Sequence, residues 1–176
     1  MKNLTLLGAA VMAVSLLGMS TAGVGAYNTY DVNETRLVDR SRQNECLALN
    51  IYHEAKGESE LGQRAVAYVT LNRAHDPAYP DDICDVVYQA VKKNGVPVKN
   101  QCQFSWYCDG KDDEPTDEEA YAEAKFVAAV VINTYGSSFD PTMGATMYHS
   151  DSVKPGWRKS FEETTQIENH IFYRKE

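Results

Sequence analysis

The stretch NIYHEAKGE, residues 50–58, sets a histidine, two glutamates and a glycine into what otherwise reads as a buried helix. Two chemistries can be built from it. The first is a metal site, because His53-Glu54 begins an HExxH pattern. The second histidine of that pattern would fall at position 57, where Gly57 stands, and His75, His149 and His170 are scattered. A metal-dependent peptidase or amidase is therefore the weaker reading, and no metal ligand or cofactor is assigned. The second chemistry is general acid catalysis by Glu54. Leu47, Ile51, Glu54 and Ala55 recur at i, i+4, i+7 and i+8, one face of a helix. A carboxyl on an apolar face is either paired or desolvated. Desolvation raises its pKa toward the range a general acid needs near neutrality, and the nearby helix C-terminus acts in the same direction. The structural alternative pairs Glu54 with Arg64 or Lys56. Glu58 lies just past Gly57. It is either a second carboxylate of the site or a first-turn residue of the next helix, where its charge is favourable; the second role is slightly preferred.

A second cluster, Gln103-Phe104-Ser105-Trp106-Tyr107, mixes aromatic faces with amide and hydroxyl groups. That combination suits sugar rings, which have apolar faces and polar edges. Phe104 and Trp106 could equally plug the core beside a disulfide. Tyr148 and Tyr173 fall on candidate strands, as cleft wall or as plain packing.

The elements that must hold these residues follow from periodicity and caps. Helix one is expected over 44–56, closed by Gly57. Helix two is expected over 59–73, with Ser59 as a candidate N-cap and Leu61, Ala65, Tyr68, Val69 and Asn72 inward. A short helix is expected over 82–91, then a loop-rich region over 92–113. Thr116-Asp117-Glu118-Glu119 reads as a capping box opening helix four, which runs to Tyr135 and stops at Gly136. Phe126, Val127, Val130 and Val131 should face the core. Residues 145–149 and 168–174 are rich in aromatic and branched side chains and could pair as strands. The expected fold is a mainly helical α+β domain with a small terminal hairpin or sheet.

The chain of 176 residues suggests one domain. Residues 1–26 carry one charge, Lys2, then an apolar run, then small residues, the pattern of a secretory signal. Cleavage is expected after Ala26, with Ala22 as the alternative; an uncleaved anchor is the rival reading, and would be the chain's one contact with a membrane. Residues 27–43 are polar, lack hydrophobic periodicity and read as a linker or arm, and the folded domain is expected over 44–176. Cys46, Cys84, Cys102 and Cys108 permit three pairings. Cys102 and Cys108 are close enough in sequence to close a small loop, which would leave Cys46 with Cys84. An oxidising compartment favours disulfides over metal. Net charge is −8, and −9 once Lys2 is removed with the leader. That argues against nucleic acid as a partner and gives no electrostatic pull toward an anionic wall.

Taken together, CLALNIYHEAKGESELGQRAVAYVTLNR, PDDICDVVYQ, CQFSWYCDG, DPTMGATMYHSDSVKPGW and NHIFYR resemble the SleB-like cell wall hydrolases, the spore-cortex-lytic-enzyme family, from Cys46 to Arg174. The cysteine-bearing form is similar to exported proteins of Gram-negative bacteria and their phages, which implies the periplasm or cell envelope. The resemblance implies a lysozyme-like domain that acts on peptidoglycan glycan strands, usually as a lytic transglycosylase, with Glu54 as catalytic glutamate, the first of an EAxGE motif. Asp140 to Ala145 and Tyr148 match the family's tail motif. Glu58, Gln103, Phe104, Ser105 and Tyr148 are the expected substrate-binding residues. The chain has no separate peptidoglycan-binding repeat, so wall affinity is expected to come from the cleft. A lysozyme-type hydrolase, with Glu58 activating water, and a non-enzymatic wall-binding module are the alternatives.

Overall fold

The computed structural model describes residues 29–175, so the expected leader over 1–26 lies outside the described residues. The first element, α1 (Thr29–Ala55), is longer than its apolar face requires. Where a polar linker was expected, residues 29–43 are helical, and side chains 34–42 are exposed. Polarity along this stretch reports distance from the core, not absence of helix. Local pairs support it: Asp39 accepts from Arg42 at 3.0 Å and from Gln43 at 2.8 Å. Arg42 also bridges to Asp82, and burial begins at Cys46.

Helix α2 (Glu60–His75) is buried nearly all round, which makes it the central helix. Ser59 is its N-cap residue but makes no side-chain cap bond. Leu61, expected inward, is 52% exposed, while Gln63 is buried. Helix α3 (Ile83–Val87) is shorter than expected, and Asp82 caps it by accepting from the Cys84 and Asp85 amides. The expected loop after it contains a hairpin, β1 (Ala90–Lys93) with β2 (Val96–Cys102), turning at Asn94 and Gly95 with positive φ.

A single 3-10 turn, Ser105–Cys108, leads to α4 (Glu118–Thr134). Asp117, not Thr116, is its N-cap, accepting from the Ala120 amide at 3.0 Å. The Tyr52 hydroxyl accepts from the Thr116 and Asp117 amides, so α1 finishes the cap of α4. Ala124, Val127, Ala128 and Val131 form the buried stripe, and Phe126, expected inside, is 64% exposed. One step along a helix turns a side chain by about 100°, enough to leave Phe126 outside a stripe that Val127 joins.

The two expected strands pair antiparallel as β3 (Met147–Ser150) and β5 (His170–Arg174), with Tyr148 opposite Phe172. A third strand, β4 (Glu162–Ile167), adds to β5, giving the order β3-β5-β4. The result is a mainly helical α+β domain. Its main core joins α1, α2, α3 and α4, and a smaller one of Ala65, Val69, Ala145, Ile167 and Phe172 fixes the sheet to α2. Disulfides Cys46–Cys84 and Cys102–Cys108 are both formed.

Candidate active site

Glu54 sits one residue before the end of α1, where the helix leaves the core and meets the sheet. Neither structural partner considered for it is used. Arg64 pairs with Glu60, and Lys56 lies over the Tyr52 ring. Instead the Tyr148 hydroxyl, from β3, donates to Glu54 Oε2 at 2.9 Å. Burial pushes the Glu54 carboxyl above its ordinary value, opposed by the Tyr148 hydrogen bond and by the charges of Arg73 and His53. The buried Tyr148 phenol is itself driven well above its usual range, so it remains a donor.

Two hollows meet at Glu54. The larger, about 450 Å³, is lined by Gln103, Phe104, Ser105 and Tyr148, together with Arg73, Trp157 and His170. Among the described residues Glu54 is the one carboxylate in that lining. The smaller, about 340 Å³, lies on the His53 side and is walled by Ser105, Trp106, Asp109, Lys111, Asp112 and Asp113. Four of the five expected substrate-binding residues therefore come together around Glu54. Phe104 is buried and serves mainly as a packing face. Trp106 is 7% exposed. Its Nε1 donates to Asn50 Oδ1 at 3.0 Å, and Asn50 Nδ2 donates to Thr70 at 3.1 Å, so the indole is anchored in the core. His53 stacks on Trp106 at 4.5 Å and bonds the Asp113 carbonyl through Nε2.

Glu58 is not brought to the site. Its carboxylate accepts from Asn169 at 3.1 Å and faces Glu168 in the β4–β5 turn. The Glu58 side chain first, and the Ser59 N–H that donates to Glu168 second, hold the Glu168 carboxyl below its ordinary value. Gly62 makes the packing possible, because a Cβ there would stand 2.7 Å from Glu58 Cβ. Tyr173 is also packing: its hydroxyl bonds His149 Nε2 at 3.0 Å.

The segment around Asp140 acts as a brace. Asp140 accepts from the Thr142 and Gly144 amides and from Asn72 Nδ2, which also donates to the Ala145 carbonyl. Next to it, Arg73 Nε donates to the Thr146 carbonyl at 2.7 Å. The end of α2 thus clamps the start of β3 and delivers Tyr148 to Glu54. Sequence reasoning missed Arg73 and Trp157. Arg73 stood at an expected helix end, where a cation looks solvated.

A half-buried carboxyl held by a phenol, in an open cleft with aromatic and amide walls, has the chemistry of a general acid beside a surface suited to ligands with apolar faces and polar edges. The Cell Wall Hydrolase family profile matches residues 57–173, beginning just after Glu54. The spore cortex-lytic enzyme of Halalkalibacterium halodurans is 32% identical over 127 residues, 72% of this chain and 33% of that protein. The one from Oceanobacillus iheyensis is 30% identical over 160 residues, 88% of this chain and 48% of that protein. This chain thus spans a third to a half of the length of these relatives. Among solved structures, the catalytic domain of the Bacillus cereus SleB protein superposes with a TM-score of 0.55 at 27% identity, over 76% of this chain and 91% of that one. The catalytic domain of the germination-specific lytic transglycosylase SleB from Bacillus anthracis gives a TM-score of 0.57 at 26% identity, over 75% and 93%. The chain belongs to the Cell Wall Hydrolase family.

Proposed function

We propose that this domain is a peptidoglycan lytic transglycosylase that cleaves the β-1,4 bond between N-acetylmuramic acid and N-acetylglucosamine, with Glu54 as both acid and base. The observation that carries this reading is the isolation of Glu54 as the single carboxylate of the larger hollow, pushed up by burial and held by Tyr148. Protonated Glu54 gives its proton to the bridging oxygen. The muramic C1–O bond breaks, its electron pair leaves with the N-acetylglucosamine side, and an oxocarbenium-like centre develops at C1. The muramic C6 hydroxyl then bonds to C1 and returns its proton to the Glu54 carboxylate. The product is a 1,6-anhydro end, and no water or second carboxylate is consumed.

Gln103, Ser105 and Tyr148 supply polar contacts along the cleft, and Trp157 an aromatic wall. Glu58 belongs to the frame in this reading, since it is held by Asn169 rather than turned into the hollow. The domain works outside the cytoplasm, in the periplasm or cell envelope, where its two disulfides would persist. Export would depend on residues 1–26. Among the described residues no helix is long and apolar enough to cross a membrane. The test is Glu54→Gln. The variant should keep its melting temperature or raise it, and lose at least about 100-fold in release of glycan from purified sacculi. A folded variant with full activity would overturn the proposal.

A further inference from the structure

Arg73 is the anomaly of the core. It is 3% exposed, on the central helix, and no carboxylate lies within salt-bridge distance of it among the described residues. Nε is used by the Thr146 carbonyl, and Nη2 reaches the Met147 sulfur at 3.8 Å. Nη1 is buried without a hydrogen-bond partner among the described residues. The guanidinium is sandwiched near the Phe104 and Tyr79 rings, at 5.0 and 5.6 Å from their centroids. A buried charge without a paired carboxylate opposes folding, and an apolar residue would fill this space without that cost. Arg73 lines the same hollow as Glu54. The groups whose charge reaches it are Tyr148, Tyr79 and Glu54, of which Glu54 is the carboxylate.

We infer that Arg73 is a positioning residue for the second half of the reaction: its fixed positive charge stabilises the carboxylate that Glu54 becomes after protonating the leaving sugar, and so prepares it to accept the proton of the C6 hydroxyl. The inference rests on the acid–base role proposed for Glu54. A desolvated carboxyl without an opposing cation would hold its proton too tightly for an efficient donor and would be an unstable anion between the two steps. Tyr148 gives one hydrogen bond to that anion; Arg73 gives the long-range charge in a site of low dielectric. His53 acts on Glu54 from its own helix. The other titratable groups facing the cleft are Asp109, Lys111, Asp112 and Asp113 on the smaller side. On the larger side they are His149 and His170. All of these stay in place when Arg73 alone is changed.

The experiment compares wild type, Arg73→Gln, Arg73→Lys and Glu54→Gln, as purified full chains acting on sacculi from pH 4 to 9, with melting temperatures at each pH. Gln keeps an N–H for the Thr146 carbonyl and removes the charge. Its alkaline limb should move up by about one pH unit, with kcat down about 10- to 100-fold. Lys retains the charge at shorter reach, so its limb should move up by less than half as much, with kcat partly restored. An unmoved limb in Arg73→Gln, with a lower melting temperature alone, would make Arg73 purely structural and overturn the inference. Should Arg73→Gln fail to fold, the Lys variant decides in the same way: an upward shift supports the inference and an unmoved limb overturns it. Full activity in Glu54→Gln would instead sink the underlying acid–base reading, whatever Arg73 does.

Discussion

Replacing Tyr148 by Phe removes one oxygen, the donor 2.9 Å from Glu54 Oε2, and leaves the ring beside Phe172 and His170. A hydrogen bond to a charged group is worth about 1.5–3 kcal/mol, and one pKa unit corresponds to about 1.4 kcal/mol. The bond favours the ionised form of Glu54, so its loss lets burial act with less opposition. The Glu54 pKa should therefore rise by about one to two units. Activity that begins with protonated Glu54 ends, on the alkaline side, at that pKa. The alkaline limb of the rate profile should move upward by the same amount. At the optimum, kcat should fall about 10-fold or more, because the carboxylate formed midway is less stable and less well aimed. The assay is the initial rate of muropeptide release from sacculi at closely spaced pH values, with circular dichroism to confirm folding. A limb that stays put, or moves toward acid, would refute the reasoning that Tyr148 acts through the ionised carboxylate.

Other expectations follow from the same geometry. Because burial raises the folded-state pKa of Glu54 above its ordinary 4.5, the folded chain binds this proton more tightly than the unfolded chain, and stability falls as pH rises between the two values. Glu54→Gln should therefore gain in melting temperature relative to wild type as pH is raised through that window; equal melting curves at every pH would contradict the burial argument. Glu58→Gln should retain more than half of the wild-type kcat and lose stability instead, whereas a fall of 100-fold in sacculus digestion would place Glu58 in the chemistry. Gly62→Ala forces a Cβ to 2.7 Å from that of Glu58 and 3.0 Å from Glu168 Oε2. It should cost about 1–3 kcal/mol in urea unfolding, with little effect on kcat. Removing Cys46–Cys84, which closes a separation of 38 residues, should cost about 4 kcal/mol, against about 2 for Cys102–Cys108 with its separation of 6; denaturant unfolding of the two Ser–Ser variants measures the difference.

Several residues that meet in the candidate site could be read from the sequence, and the reasons are local. Glu54 was visible because it shares a helical face with Leu47 and Ile51, which are buried. Tyr148 was visible because an aromatic in ATMYH fits a half-buried strand. Arg73 was not, because its burial comes from Phe104, Tyr79 and the start of β3, which are distant in sequence. Strand β4 was missed because EETTQI has little apolar alternation, and its burial is confined mainly to Ile167. The Asn94-Gly95 turn was a hairpin signal left unused, since the strands around it carry Lys92, Lys93 and Pro97 and lie at an exposed edge. The helical arm before Cys46 was missed for a different reason. Periodicity detects a helix that faces a core, and this one faces solvent over 34–42.

The central claim is that Glu54 closes a ring on the substrate without activating water. Mass spectrometry of the muropeptides released from purified sacculi tests it most directly. Wild type should release muropeptides with 1,6-anhydro ends, each lacking the mass of one water relative to a hydrolytic product, and Glu54→Gln should release none. Reducing ends from wild type would contradict the account, and would turn the search for a base toward the aspartates of the smaller hollow.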